Sequence, residues 1–247
     1  MVPAARRLVS GGKCAYIAAM LNDSIRPSLA PFAAVVFDMD GTLIDTEPYW
    51  MAEEGEMVAR AGGTWTQEDA VELVGNSLLR SAEIILARTP VTGTPEQVVD
   101  TLLTGVVART RESMPWRPGA RELLSECAHL GVPCALVTMS WAPLANVLLE
   151  ALPPDAFSVV VTGDQVAHGK PSPDPYLLAA ERLGLDPRTC LALEDSPTGV
   201  HSATAAGVPT IGIPHVVPIP DLPGMVKVPD LAGRTLQDLA DLAATLR

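Results

Sequence analysis

Three short apolar runs, each closing on a cluster of polar residues, organise the chain. Ala33-Ala34-Val35-Val36-Phe37 leads into Asp38-Met39-Asp40-Gly41-Thr42. Pro133-Cys134-Ala135-Leu136-Val137 leads into Thr138-Met139-Ser140, and Cys190-Leu191-Ala192-Leu193 into Glu194-Asp195-Ser196. The runs are continuously apolar rather than alternating, which is the pattern of strands covered on both faces and so of a parallel sheet with helical crossovers. Phe157–Val161 and Val208–Ile213 are weaker strand candidates. Helix-end signals lie between them. Residues 119–130 stop at Gly131. Asp174-Pro175 reads as an N-cap followed by proline, opening a helix that runs to Gly184. Ser196-Pro197 repeats the device for a helix ending near Gly207. Strand alternating with helix predicts an α/β fold with a doubly wound, Rossmann-like parallel sheet.

Residues 48–113 break this rhythm. They read as four helices, at about 48–61, 67–74, 77–88 and 95–112, with no strand between them. Thr94 and Gln97 have the spacing of a capping box at the start of the last. The expected division is a core of residues 32–47 and 115–247 and an inserted helical domain of residues 48–114. A poorly ordered extension of residues 1–31 precedes them. The segment from Pro214 onward begins proline-rich and ends in a helix from about Leu236.

Composition narrows the function classes. With 17 Lys and Arg against 29 Asp and Glu among 247 residues, the net charge is −12, which opposes general binding to nucleic acid or to an anionic membrane surface. No apolar run reaches the roughly 20 residues needed to span a bilayer. Cys14, Cys127, Cys134 and Cys190 form no C-x-x-C pair, so reduced, mostly buried thiols in a cytoplasmic protein are expected. Arg6, Arg7, Lys13 and Arg26 against Asp23 make the first 31 residues locally basic. Ser10-Gly11-Gly12-Lys13 interrupts what would be the apolar stretch of a signal peptide. This segment reads as an extension, or as a start codon placed too early with Met20 nearer the true beginning.

In an open parallel sheet, ligands bind beyond the carboxyl ends of the strands. Asp38, Asp40, Thr138, Ser140, Glu194 and Asp195 all fall there, and Lys170 lies in a loop preceding a helix. Taken singly, these residues have ordinary explanations as a solvated turn, a surface lysine or acids at a helix start. Together they describe one rim. Carboxylates so close repel one another unless a cation compensates, and an all-oxygen set suits Mg²⁺ completed by a substrate phosphate. A carboxylate nucleophile can form an acyl phosphate, and a second carboxylate two residues away can serve as general acid and then base. Lysine and hydroxyls would hold the phosphoryl oxygens.

These residues resemble the haloacid dehalogenase superfamily. Asp38-Met39-Asp40-Gly41-Thr42 is similar to its first motif, D-x-D-G-T, Thr138 to its second, Lys170 to its third and Glu194-Asp195 to its fourth, in order and over about residues 32–235. The helical insertion is similar to the family's C1-type cap. The resemblance implies Asp38 as nucleophile and Asp40 as general acid/base. It implies Mg²⁺ held by the Asp38 carboxylate, the Asp40 carbonyl and Asp195, and a phosphoryl group gripped by Thr138 and Lys170. Glu194 is left open between metal contact and a supporting place. Asp40 implies phosphate-ester chemistry, since dehalogenase members lack the second aspartate. Members resembling β-phosphoglucomutase carry a histidine where this chain has Trp50, which favours hydrolysis over mutation. The expected protein is a Mg²⁺-dependent phosphatase of a small phosphorylated metabolite, on the sugar-phosphate side of the family. Two alternatives are a phosphosugar mutase and a phosphorylation-switched or non-catalytic binding module. Glu47 is undecided between substrate contact and a solvated helix start, Gly75-Asn76-Ser77 between a loop closing over substrate and a plain turn, and the bulk of Met139 has no explanation in the sequence.

Overall fold

The computed structural model describes residues 32–246. The expected N-terminal extension lies outside the described residues. Six parallel strands form one sheet in the order β3-β2-β1-β4-β5-β6. They are β1 (Ala34–Phe37), β2 (Cys134–Val137), β3 (Val159–Val161), β4 (Cys190–Glu194), β5 (Thr210–Gly212) and β6 (Met225–Lys227). The chain steps outward from β1 through β2 to β3, then returns to β4 on the other side. The reversal of order falls between β1 and β4, where crevices open in doubly wound sheets.

The apolar runs are explained by burial on both sides. Along β1, Val35 and Phe37 enter one cluster with Leu136, Leu193 and Leu123. Ala34 and Val36 enter the other with Ala135, Ala192 and Tyr176. The helices that cover the faces are α5 (Ala120–Leu130), α6 (Ala142–Glu150), α7 (Asp174–Leu183), α8 (Pro197–Ala205) and α9 (Leu236–Ala244). At about 1.5–3 kcal/mol per fully buried large apolar side chain, these two layers supply the main driving force of folding.

The insertion consists of α1 (Glu47–Arg60), α2 (Gln67–Val71), α3 (Leu78–Arg88) and α4 (Pro95–Glu112). Thr94 and Gln97 form the expected capping box. Arg109 on α4 donates from Nε to Glu53 Oε1 at 2.6 Å and from Nη2 to Glu56 Oε1 at 2.5 Å, tying α4 to α1. Gly105 makes room for this pair, because a Cβ there would lie 2.1 Å from the Glu53 carboxylate. Residues 44–46 lead into the insertion and 113–117 lead back, side by side. Ile44 bridges to Trp116 in antiparallel fashion. The Asp45 N–H donates to Pro115 O at 2.8 Å and the Arg117 N–H to Leu43 O at 2.9 Å.

Four details depart from the sequence reading. α2 ends at Val71 and continues as turns to Gly75. β3 starts at Val159 rather than Phe157, whose ring instead packs edge-on against Phe37, 6.1 Å between centroids. Asp174 is the first residue of α7 rather than its cap; Pro173 holds the cap position, and the Asp174 carboxylate pairs with His168 Nδ1 at 2.9 Å. β6 was not expected from the proline-rich segment. It adds three residues to the sheet edge, with Thr210 opposite Met225 and Ile211 opposite Val226.

Candidate active site

The strand ends bring the expected residues together. Asp38 directly follows β1, and its N–H donates to Leu193 O at 3.0 Å, locking the end of β1 to β4. Asp195 directly follows β4, whose last residue is Glu194. Carboxylate oxygens of Asp38, Glu194 and Asp195 lie within 4.8 Å of one another, all three buried. Two glycines make the cluster possible. Gly41 has φ +85°, and a Cβ there would sit 2.0 Å from Asp195 Oδ2; a Cβ on Gly199 would sit 1.9 Å from Glu194 Oε2. The glycine of the D-x-D-G-T string thus turns the chain sharply and admits a carboxylate against its backbone.

Lys170 neutralises part of this charge. Its Nζ donates to Asp38 Oδ1 at 2.6 Å, to Glu194 Oε1 at 2.5 Å and to Val137 O at 2.9 Å, so all three ammonium protons are committed. Glu194 Oε1 also accepts from Tyr176 Oη at 2.6 Å. This contact was missed in the sequence because Tyr176 looks like one more apolar position of α7. Burial works against the Lys170 charge, but Asp38 and Glu194 outweigh it and hold its pKa above the ordinary lysine value. Asp38 Oδ2 is buried without a partner. Burial, opposed by Lys170 and reinforced by Glu194 and Asp40, pushes the Asp38 carboxyl up to about 8. Burial, with Asp38 and Glu194 beside it, likewise holds Asp195 well above the carboxylate range. A buried acid cluster with one lysine and an orphan oxygen fits a hard divalent cation.

Asp40 is turned away from that cluster. Its Oδ1 accepts from Thr46 Oγ1 at 2.5 Å, and its Oδ2 accepts from Thr138 Oγ1 at 3.1 Å and Ser140 Oγ at 2.8 Å. Burial raises its pKa, while the three hydroxyls pull it back. The fourth-motif carboxylate Glu194, rather than the Asp40 side chain, therefore completes the acid trio with Asp38 and Asp195. Thr138 Oγ1 also accepts the Ser140 N–H at 2.9 Å. Met139 has a place here: its buried Sδ accepts the Lys170 N–H at 3.2 Å, and the missing Cβ of Gly169 leaves room, since that atom would sit 2.7 Å from the sulfur. The thioether holds the loop that delivers Lys170.

A cavity joins this rim to the insertion. Asp38, Asp40, Thr138, Met139, Lys170 and Asp195 line one side; Glu47, Trp50, Glu54, Asn76 and Ser81 are among those lining the other. Glu47 is thus part of the wall. The loop at Gly75 touches the core, with Thr198 Oγ1 donating to Gly75 O at 3.3 Å. Burial, with Asp40 and Glu54 nearby, pushes Glu47 up to about 8. Burial pushes Glu54 up to about 7 against the opposing bond from Trp65 Nε1, 3.2 Å from its Oε2.

A raised carboxyl favours the folded state only while protonated, so its contribution is lost as pH climbs from the unfolded value through about 7. Glu54→Gln retains an acceptor for Trp65 and removes this titration. In EDTA, the thermal midpoint of the variant minus that of the wild type is expected to rise by about 3 °C or more between pH 5 and pH 8. A flat difference would contradict the buried state of Glu54.

The sequence pattern of the haloacid dehalogenase-like hydrolases matches residues 32–207. The chain belongs to this family. Among haloacid dehalogenase-like relatives, hexitol phosphatase B of Escherichia coli K12 is 32% identical over 184 residues, 73% of this chain and 83% of that protein. Fructose-1-phosphate phosphatase YqaB of the same strain is 31% identical over 183 residues, 74% of this chain and 96% of that protein. The crystal structure of CbbY from Rhodobacter sphaeroides in complex with phosphate superposes with TM-score 0.77 at 28% identity, covering 84% of this chain and 99% of that one. Among the described residues, no helix is long and apolar enough to cross a membrane.

Proposed function

We propose that the protein is a Mg²⁺-dependent phosphatase that hydrolyses a small phosphorylated metabolite, a sugar or polyol phosphate, through an aspartyl-phosphate intermediate, with residues 48–114 acting as a cap over the site. The observation that carries this reading is the division of labour between the buried Asp38 and the half-buried Asp40, two residues apart. Asp38, which lines the cavity, is pinned at one oxygen by Lys170, and its other oxygen is buried without a partner. Asp40 is held by three hydroxyls, off the metal-type cluster. The relatives named as hexitol and fructose-1-phosphate phosphatases support the substrate class.

Asp38, Asp195 and the carbonyl of Asp40 would hold the ion, with Glu194 behind them as the acceptor for Lys170 and Tyr176. When bound, Mg²⁺ supplies charge neutralisation for the phosphoryl group and the acids around it. Asp38 attacks phosphorus as the bond to the leaving oxygen breaks, and Asp40 in its acid form gives its proton to that oxygen. Asp40, now a carboxylate, takes a proton from water. The water oxygen attacks phosphorus, the bond to Asp38 breaks and inorganic phosphate leaves. Thr138 and Ser140 hold Asp40 in place through both steps. Positioning and charge compensation provide most of the acceleration in this chemistry. The buried thiols Cys127, Cys134 and Cys190 are free, in keeping with a reducing, cytoplasmic setting.

A panel of phosphometabolites, with released phosphate as readout, tests the reading. Release should equal substrate consumed; conversion to an isomeric phosphate without release would make the protein a mutase. EDTA is expected to reduce turnover to background and Mg²⁺ to restore it. Activity indifferent to chelator would remove the metal from the account.

A further inference from the structure

The two walls of the cavity differ in charge. The core side offers Lys170, the only cation among the described lining residues, and its protons are already taken by Asp38, Glu194 and Val137 O. The cap side offers two carboxyls, Glu47 and Glu54, amid largely apolar surface that includes Trp50 and Leu102. Glu47, Trp50 and Glu54 stand at i, i+3 and i+7 on α1, so one helix stripe presents all three to the cavity. The Trp65 indole binds Glu54 at Oε2 and fixes its rotamer, leaving Oε1 uncommitted. The Glu47 carboxyl makes no hydrogen bond with any described residue. Whatever their protonation, neither group supplies positive charge, and both can accept a hydroxyl proton when ionised.

We propose that Glu47 and Glu54 form a charge filter on the cap wall that admits neutral, hydroxyl-bearing leaving groups and turns away esters carrying a second phosphate or a carboxylate. The proposal rests on the phosphatase reading and names the substrate class within it. Once these carboxyls are ionised, a second anion reaching the cap wall would meet like charge with no cation among the described lining residues to offset it, in a cavity where water screens poorly. A hydroxyl at the same point would find an acceptor. Selection against the wrong ligand by a repulsive element is an ordinary route to specificity. Trp50 and the aliphatic lining favour the carbon skeleton of the alcohol.

The test uses full-length protein with Mg²⁺ at about pH 9, where both carboxyls are ionised, and matched pairs of esters. p-Nitrophenyl phosphate first establishes whether the protein is a phosphatase at all. Glucitol 6-phosphate is then compared with 6-phosphogluconate, which has the same chain length and one carboxylate more, and fructose 1-phosphate with fructose 1,6-bisphosphate. The neutral member of each pair is expected to have a kcat/KM roughly 100-fold above its anionic twin. In the variant carrying Glu47→Gln and Glu54→Gln that ratio should shrink by about 10-fold or more, chiefly through a lower KM for the anionic ester. Turnover of p-nitrophenyl phosphate with equal rates within each pair would overturn the filter and leave the phosphatase reading standing. Inactivity on every ester would overturn both. A preference that persists unchanged in the double variant would assign selection to other residues and remove these two. Should the variant not fold, the wild-type pairs decide.

Discussion

Asp38→Asn is expected to lower phosphate release by about 10⁴-fold or more while the protein still folds. The amide has nearly the carboxylate's shape and keeps an oxygen for Lys170, so the loop carrying the lysine stays docked. It cannot form the acyl phosphate, because an amide oxygen is a poor nucleophile. The amide also carries no titratable proton, whereas burial pushes the Asp38 carboxyl up to about 8. The metal-free variant should therefore be at least as stable as the wild type at pH 8. Single-turnover phosphate release and thermal melting of the same samples check both halves. Retention of a tenth of wild-type turnover would remove the nucleophile assignment, and so would beryllium fluoride crystals with nothing on Asp38 of the wild-type protein.

Lys170→Met is expected to cost about 3–5 kcal/mol of unfolding free energy in addition to activity. The side chain of Lys170 is only 3% exposed, and it faces Asp38 and Glu194, which are 9% and 0% exposed at their side chains. Methionine fills the volume but leaves two buried acids without a cation. A urea titration at pH 8 reads the loss directly. At pH 5 the loss should shrink, because protonation of Asp38 removes one of the stranded charges. Adding Glu194→Gln to the lysine variant should recover part of the stability. A loss below about 1 kcal/mol at pH 8 would mean that water already reaches these groups and screens them.

Much of this site was legible in the sequence because its chemistry sits at strand ends. A doubly buried strand must be apolar throughout, so the change to Asp38, Thr138 and Glu194 marks both the edge of the sheet and the rim of the crevice. What was not legible depends on packing between distant segments. The contact of Tyr176 with Glu194 and the support of Lys170 by Met139 Sδ join residues 18 and 31 positions apart, with no periodic signal. The strand Met225–Lys227 is three residues long among prolines, too short to show a pattern, and exists because β5 offers an open edge. Asp174 has the composition of a cap, yet its carboxylate went to His168, while Ser172 Oγ, 3.4 Å away, accepts the Asp174 N–H. The side chains of Glu47 and Glu54 could be placed only once α1 was seen packing on α4, with its acidic stripe toward the core.

The two crossings into and out of the insertion have an architectural consequence. Because Ile44 and Trp116 are bridged, the intervening polypeptide leaves and rejoins the sheet at almost the same point. The scaffold therefore senses the insertion as a closed excursion of fixed mouth, whatever its length, and lengthening it adds only a slowly growing loop entropy. In the proposed mechanism the nucleophile Asp38 and the proton donor Asp40 lie before the departure, and Thr138, Lys170 and Asp195 after the return. Selectivity can be rebuilt in the detour alone, without disturbing the machinery that breaks the ester.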